Sequence, residues 1–333
     1  MTPKQSEKSK RGPDEAKRNP NAPTLRYDVR ALDGLLLLPA GTRLGAGVIE
    51  ELACRRRTPW RELNLLDYGS VRGDLQRFIA SRSNYRSIFS EPSLVNGVQA
   101  TMAAATLPFP VLECLSHFQQ HDHYTYRHVL SVFALSCLLG HDLLGEPGAS
   151  TLEPAAAPLH DLGKICVPLA TLKKRTPFDH AEHDRVEHHA VAGYVLLTYY
   201  LRRSGTFSAR VARDHHERRN GSGYSMGIRQ ADREVELVAV CDIYDALINP
   251  RPYRKGNFGN RTALEIITAM AENGSLGWDC VRRLVAANRK GRPHSDACVV
   301  SPEKRGTALA ENNWGILEDG TPAAHAPARP PPT

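Results

Sequence analysis

The sequence predicts a mainly α-helical protein with a small α/β module near its N-terminal end. Helical periodicity dominates from Leu112 onward. Before it there is one short strand-like run, Leu35 to Leu38, which Pro39-Ala40-Gly41 closes and a helical pattern from Val48 to Arg55 follows. The hydrophobic content of 41% in 333 residues is enough to build a core. Together these observations favour a helical domain that carries a small accessory module.

Composition divides the chain into four parts. Residues 1–24 form a basic tail that we expect to be disordered, and residues 301–333 form a flexible tail rich in Pro and Ala. Residues 25–110 form the accessory module, and residues 111–300 form the helical domain. The accessory module has no ligand cluster and no Gly-rich phosphate loop, so we expect the chemistry to lie in the helical domain.

Charge and cysteine usage restrict the class of protein. The net charge of +7 suits an anionic partner, either a nucleotide or a nucleic acid. Seven cysteines without paired spacing argue against a disulfide framework and against a zinc ribbon. We interpret Cys166 and Cys241 as small buried hydrophobic residues. Because no stretch approaches the roughly 20 apolar residues of a membrane span and no signal peptide is present, we expect a cytoplasmic protein without a membrane partner.

Four predicted helices direct polar side chains toward the core. The helix from Tyr126 to Leu144, which Gly145 ends, places His128 on the same face as Val132 and Leu135. The other three are a helix with Thr176 as N-cap and Pro177 at its first position that carries His189, a helix from Ser208 to His215, and a helix from Glu234 to Leu247 that carries Asp242. Buried charges are costly unless they are paired or bound to a metal, so this pattern indicates a metal site.

The dipeptide His-Asp occurs four times, starting at residues 121, 141, 160 and 183. Only His160-Asp161 follows a small apolar stretch, residues 154–159, and precedes a Gly and then Lys164. We therefore interpret His160-Asp161 as part of the site and the other three pairs as solvated or capping side chains.

His nitrogen and Asp oxygen together suit borderline divalent metals such as iron, manganese, zinc or nickel. Because five or more ligands exceed what one ion usually takes from a protein, we expect two ions bridged by one carboxylate. Asp161 is the natural bridge, since its neighbour His160 can hold one of the two ions. Two metals about 3.5 to 4 Å apart can place a bridging hydroxide in line with a phosphorus atom, which predicts phosphodiester hydrolysis.

Cations and a Gly-rich loop accompany these residues. Lys164 lies one turn after His160 and can reach a phosphate oxygen or developing negative charge. Arg251 and Arg254 can clamp phosphates, for which the guanidinium fork is well suited. Tyr224 lies in a Gly-Ser-Gly-Tyr loop that can approach a ligand closely. We interpret Asp245 as a structural partner of a nearby Arg.

Five motifs follow one another between Tyr124 and Ile267. They are Tyr124-Thr125 with His128, His160-Asp161-x-Gly163-Lys164, His189 with Gly193, His215-His216-Glu217 with Gly221-x-Gly223-Tyr224, and Asp242-x-x-Asp245-Ala246-Leu247 followed by Arg251-Pro252-Tyr253. This series resembles the HD-GYP group of bacterial HD-domain phosphohydrolases. The resemblance implies an HD-domain helical bundle whose metal centre hydrolyses the bacterial second messenger cyclic di-GMP to pGpG or GMP.

The resemblance also implies a role for each matching residue. The implied metal ligands are His128, His160, Asp161, His189, His215, His216 and Asp242. The implied substrate contacts are Lys164, Tyr224, Arg251 and Arg254. Asp161 and Lys164 are the residues that we expect to take part in catalysis.

Three positions depart from the family pattern. The family's Gly-Tyr-Pro is Gly223-Tyr224-Ser225 here, and the missing Pro leaves open the shape of this loop and any protein contact made through it. Asn220 stands where the family usually has Asp. Tyr124 stands where some members have a Glu that holds a third metal, so we predict two metals, iron or manganese.

Two alternatives to an active cyclic di-GMP phosphodiesterase remain open. Ser225 and Asn220 motivate a catalytically degenerate module that binds cyclic di-GMP or another protein. The third hypothesis is an HD-type hydrolase of another nucleotide. The partner that we expect is a cyclic dinucleotide and not a nucleic acid, and the sequence does not predict the oligomeric state.

Overall fold

The computed structural model describes residues 22–56, 58–141, 157–230, 232–251, 256–307 and 316–323. Within these residues the protein is mainly α-helical, as predicted. The helices are α1 (Ala46–Cys54), α2 (Val71–Ser81), α3 (Ser83–Ile88), α4 (Pro92–Ala103), α5 (Phe109–His121), α6 (His123–His141), α7 (Leu169–Leu172), α8 (His180–Glu187), α9 (His189–Leu201), α10 (Phe207–Asp214), α11 (Arg233–Ile248), α12 (Asn260–Glu272) and α13 (Trp278–Ala287). The strands are β1 (Val29–Arg30), β2 (Leu36–Leu38), β3 (Glu62–Asn64) and β4 (Thr106–Pro108).

Two small antiparallel sheets lie in the N-terminal region. β1 pairs with β2, with Val29 opposite Leu38, and β3 pairs with β4, with Leu63 opposite Leu107. The predicted strand and the helix that follows it are therefore present as β2 and α1. Helices α2, α3 and α4 lie between β3 and β4 in the chain.

A continuous hydrophobic core joins the N-terminal region to the later helices. Its buried side chains run from Leu25 to Cys298, with Tyr85, Phe133 and Phe258 among the largest that are fully buried. α1 packs on α9, and α4 packs on α6. Residues from the first hundred positions can therefore reach the centre of the helical domain.

The helix that carries His189 differs from the prediction. Asp179, not Thr176, is the N-cap: its carboxylate accepts a hydrogen bond from the Glu182 N–H at 2.7 Å, and the Glu182 carboxylate accepts one from the Asp179 N–H at 2.9 Å. This reciprocal pair satisfies two backbone donors at once, which the Thr176 hydroxyl alone does not. The helix is also divided into α8 and α9, with His188 between them.

The helices with inward polar residues pack directly against one another. α6 packs on α11, and α9 packs on α10 and on a 3₁₀ turn at Leu162–Cys166. At Gly163 a side chain would bring a Cβ to within 1.9 Å of the His189 carbonyl oxygen, so only glycine allows this turn to approach α9 so closely. The turn that follows His160-Asp161 is thereby held against the start of α9.

Several sequence predictions fall outside the described residues. They concern the end of the His128 helix at Gly145, the side chain of Arg254, and most of the two terminal tails. None of the helices that the structure describes is both long enough and apolar enough to span a membrane.

Candidate metal centre

The seven predicted metal ligands lie close together in space. Six of them are buried and His216 is partly buried. They are His128 on α6, His160 and Asp161 just before the 3₁₀ turn, His189 at the start of α9, His215 and His216 directly after α10, and Asp242 on α11. Five separate chain segments therefore supply one cluster of nitrogen and oxygen donors.

Asp161 lies at the middle of this cluster. Its Oδ2 is 3.5 Å from His128 Nε2 and 3.4 Å from His160 Nε2. Its Oδ1 is 3.2 Å from His189 Nε2 and 3.9 Å from His215 Nε2. The two oxygens of one carboxylate thus face two different sets of imidazoles.

Each set has the spacing needed to hold a cation. The ligand atoms of His128, His160 and Asp242 all lie within 4.8 Å of one another, and those of His189, His215 and His216 do as well. In the second set, His189 Nε2 is 3.4 Å from His215 Nε2 and 3.2 Å from His216 Nε2. Such spacing lets three ligands share one ion, with Asp161 between the two groups.

Hydrogen bonds on the far side of the rings orient the imidazoles. His160 Nδ1 lies 2.7 Å from the Ala157 carbonyl oxygen, and His215 Nδ1 lies 3.0 Å from that of Ala212. His189 Nδ1 is bonded in the same way to a carbonyl one turn earlier in the chain. Because a carbonyl only accepts, each Nδ1 carries the proton and each Nε2 keeps its lone pair for a metal.

His128 is oriented by a carboxylate instead. Its Nδ1–H donates to Asp245 Oδ2 at 2.6 Å, and the other Asp245 oxygen accepts from the Asn249 amide at 2.6 Å and from the Tyr85 hydroxyl. Asp245 is therefore a structural residue, as predicted, but the hydrogen bonds that its carboxylate accepts come from His128, Asn249 and Tyr85 and not from an Arg. Tyr85 on α3 carries no sequence signal for this contact, since it lies in the region that we expected to have no chemical role.

The pKa values of Asp161, His215 and His216 favour the protonation states that bind cations. Burial, followed by the neighbouring His160 and His189, lowers the pKa of His215 to about 3, and burial also lowers the pKa of His216 well below its usual value. Burial alone would raise the pKa of Asp161, but Lys164 and His160 hold it well below the usual range. Near neutral pH this carboxyl is therefore ionised and these two imidazoles are neutral.

Burial alone would lower the pKa of His128, but the carboxylates of Asp242 and Asp245 raise it to about 9. Burial would likewise raise the pKa of Asp242, and His128 lowers it well below the usual range. In the protein without metal, protonated His128 therefore neutralises part of the negative charge of the Asp242 and Asp245 carboxylates. A bound cation would supply positive charge at the same place.

Two buried nitrogens in the cluster have unmet bonding capacity. Nε2 of His128 and Nε2 of His160 make no hydrogen bond of normal geometry with any residue that the structure describes, although Asp242 Oδ1 lies 3.0 Å from the first and Asp161 Oδ2 lies 3.4 Å from the second. Buried polar atoms without partners are unfavourable, and a cation would satisfy both. No cysteine belongs to either set of donors in the described part of the chain, so the residues fit divalent metals that prefer nitrogen and oxygen ligands.

Three of the four predicted substrate residues lie around the cluster. Lys164 Nζ donates to Asp161 Oδ2 at 2.5 Å, and the Tyr224 ring stacks on the His216 ring with 4.4 Å between centroids. Arg251 lies farther out, with its Cζ 5.5 Å from the centre of the Tyr124 ring. Tyr124 in turn stacks on His128, with 5.8 Å between ring centroids. Arg254 lies outside the described residues.

Backbone contacts hold the Tyr224 loop in place. The Glu217 carboxylate accepts hydrogen bonds from the Met226 N–H at 2.6 Å and the Ile228 N–H at 3.0 Å. A Cβ at Gly223 would lie 2.3 Å from the His216 carbonyl oxygen, so glycine at this position lets the loop pass close to the histidines of the cluster. Asn220 donates to Ser275 Oγ at 3.1 Å, a hydrogen bond that an ionised Asp could not donate.

The region that contains the cluster is similar to known proteins. Residues 125–247 match the family model described as HD domain. A cyclic di-GMP phosphodiesterase of Pseudomonas aeruginosa is 35% identical over 191 residues, which cover 56% of this chain and 45% of that protein. A cyclic di-GMP phosphodiesterase of Thermotoga maritima is 33% identical over 149 residues, which cover 44% of this chain and 40% of that protein.

The similarity extends over only part of each relative. The chain spans less than half of either of them. A solved structure described as an HDG"Y"P protein from Bdellovibrio bacteriovorus covers 79% of this chain and 94% of its own, with 16% identity and a TM-score of 0.42. Residues 125–247 are thus similar to HD domains, and part of the chain is similar to proteins named as cyclic di-GMP phosphodiesterases.

Proposed function

We propose that the chain is a metal-dependent phosphodiesterase that hydrolyses cyclic di-GMP to pGpG or GMP. The observation that carries the proposal is the position of Asp161, whose two carboxylate oxygens face separate sets of histidines at 3.2 to 3.9 Å. A buried carboxylate with this double environment suits a bridge between two cations. Because the substrate is an intracellular messenger, we place the activity in the cytoplasm.

Each of the two sets of donors would bind one metal ion. His128, His160 and Asp242 would hold one ion, and His189, His215 and His216 would hold the other. Bound in this way, a pair of divalent cations supplies a water of lowered pKa and offsets negative charge on the phosphate oxygens. We propose two ions of iron or manganese, since Tyr124 offers a phenol, not a carboxylate, beside His128.

The residues around the cluster would bind and orient the substrate. The side chain of Lys164 is only 12% exposed and its ammonium already contacts Asp161, so it is placed to contact a phosphate oxygen at the same point. Tyr224 presents a ring stacked on His216, and a purine base can extend such a stack. Arg251 and Arg254 would supply further charge for the second phosphate.

The Gly223-Tyr224-Ser225 loop is also the surface through which a protein partner would contact the chain. This loop motivates the alternative that the protein binds cyclic di-GMP, or another protein, without hydrolysing it. The retained set of seven metal-type residues favours hydrolysis, because a binding module has no use for the paired arrangement around Asp161.

A different substrate is the second candidate function. Relatives of this chain include a protein of Vibrio cholerae named 3'3'-cGAMP-specific phosphodiesterase 3, which is 35% identical over 133 residues. That similarity is comparable to the similarity to proteins named for cyclic di-GMP, so a hybrid cyclic dinucleotide fits the same proposal. The reaction is the same for both substrates, which differ in one base.

The test is turnover by the purified protein, loaded with iron without oxygen or with manganese. Cyclic di-GMP, 3'3'-cGAMP and a linear dinucleotide are supplied in parallel, and products are separated by chromatography. We expect cyclic di-GMP to be consumed fastest. Binding of cyclic di-GMP without hydrolysis under both metals would contradict the proposal, and faster turnover of 3'3'-cGAMP would favour the second candidate.

Two adjacent histidines provide a matched pair of variants. His189→Asn removes a donor from the cluster and should reduce turnover to background. His188→Asn alters a buried imidazole that packs edge-on against Tyr27 and belongs to neither set of donors. The His188 variant should therefore keep its metals and most of its activity.

A further inference from the structure

A cleft of about 510 Å³ lies apart from the metal centre, between α4, α6 and α13. Its walls are largely apolar, with Leu94 and Val98 on one side and Leu138 and Leu139 on another. Cys137 in its wall follows His128 by nine residues along α6, which corresponds to about 14 Å of helix. The volume is in the range of pockets that hold small organic ligands.

An unpaired arginine faces this cleft. Arg283 on α13 is only 8% exposed, and its Nε and Nη1 are buried without a hydrogen-bond partner among the residues that the structure describes. It forms no ion pair with the residues that the structure describes, whereas the neighbouring acids Glu236 and Asp279 pair with Arg219 and Arg233. A buried guanidinium without a counter-ion is strongly unfavourable.

A second unpaired group lies in the same wall. Ser295 is 7% exposed, and its Oγ has no hydrogen-bond partner in the described part of the chain. Arg292 and His294 also line the cleft, and none of its lining residues in the described chain is acidic. Donors and positive charge therefore converge on an otherwise apolar space.

We propose that this cleft binds a small amphipathic anion. A carboxylate or phosphate head group would accept hydrogen bonds from Arg283 and Ser295, and a short apolar body would pack on α4 and α6. The head group would provide the counter-ion that Arg283 lacks, and charge-assisted hydrogen bonds of this kind are among the strong ones. The proposal concerns a site separate from the metal cluster and does not depend on the proposed enzymatic activity.

Thermal unfolding and calorimetric titration of the full-length protein test the proposal. The probes are octanoate, octyl phosphate, octanol and inorganic phosphate. We expect octanoate or octyl phosphate to bind and to raise the unfolding temperature, and the tighter of the two identifies the head group. Equal binding of octanol would overturn the role of the charge, and equal binding of inorganic phosphate would overturn the role of the apolar body.

Arg283→Met tests the role of the guanidinium even without a ligand. The change removes an unpaired buried charge, so the ligand-free variant should unfold at a temperature equal to or above that of the wild type. Its affinity for the preferred probe should fall by about ten-fold or more. Arg282→Met, an exposed neighbour on the same helix, is the matched control and should leave affinity unchanged.

Gly97→Leu tests the apolar side of the site. A Cβ at Gly97 meets no atom within 4 Å, so a larger side chain can enter the cleft without displacing backbone. This variant should fold normally and lose probe binding. The proposal is overturned if Arg283→Met is strongly destabilising without ligand, or if neither octanoate nor octyl phosphate binds the wild-type protein.

Discussion

Asp245→Asn should weaken the metal centre without removing any metal ligand. Asp245 Oδ2 accepts the Nδ1–H of His128 at 2.6 Å, while its Oδ1 accepts from Asn249 and Tyr85. An asparagine at this position keeps only one oxygen, so its NH₂ group must face either His128 or the donors of Asn249 and Tyr85. One of these buried donors then loses its acceptor.

The expected magnitude follows from the role of such partners. Removing the group that orients a metal-bound imidazole lowers metal affinity or activity by about 10-fold to 100-fold, or about 1.4 to 2.7 kcal/mol. We expect manganese affinity, measured by calorimetric titration of metal-free protein, to fall within this range. Tyr85→Phe should also lower manganese affinity, but by less, because Asn249 still donates a hydrogen bond to the Asp245 carboxylate.

Asp74→Asn is the matched control for this change. Asp74 is also a buried carboxylate that accepts from a tyrosine, with the Tyr126 hydroxyl at 2.8 Å, but it does not contact any residue of the metal cluster. It should reduce thermal stability and leave manganese affinity unchanged. The reasoning is refuted if Asp245→Asn and Asp74→Asn have equal effects on manganese affinity.

Three further predictions concern the centre and the turn beside it. Gly163→Ala should destabilise the fold by about 1 to 3 kcal/mol or more in chemical denaturation, because its Cβ would meet the His189 carbonyl oxygen at 1.9 Å, while Gly97→Ala should be tolerated. Asp161→Ala should abolish both metal binding and turnover, and two metals per chain in that variant would disprove the bridge. Metal-free protein should be most stable near pH 6.5 in denaturation at a series of pH values. His128 has a folded pKa of about 9, so its contribution to the free energy of unfolding is complete below pH 6.5 and is lost as the pH rises to 9. His215 has a folded pKa of about 3, so its contribution is complete above pH 6.5 and is lost as the pH falls toward 3. Each group changes the free energy of unfolding by up to about 1.4 kcal/mol per pH unit, and a flat profile would contradict these shifts.

The existence and type of the main elements could be predicted from the sequence. The long helix around His128 and the helix around Asp242 are rich in apolar residues over several turns, a feature that depends only on the local chain. The His160-Asp161 pair could be selected because an apolar stretch precedes it and a glycine follows it. The structure shows why that glycine is needed, since the Gly163 turn lies against α9.

Contacts between distant segments could not be predicted in this way. Tyr85 and Asp245 are 160 residues apart, and no local pattern in α3 distinguishes Tyr85 from any other core tyrosine. The N-cap at Asp179 depends on a reciprocal bond with Glu182, and the sequence offered Thr176 as a competing cap. No feature of the sequence distinguishes Arg283 from an exposed arginine on a helix. Its burial results from the packing of three helices, which the local sequence does not show.

The number of metal ions per chain tests the central claim most directly. Protein purified without oxygen, or reconstituted with manganese and freed of excess metal, is subjected to elemental analysis against an accurate protein concentration. Two ions per chain are predicted, because Asp161 separates two sets of donors that each suit one cation. A value of one or none, from protein shown to be folded, would contradict the account.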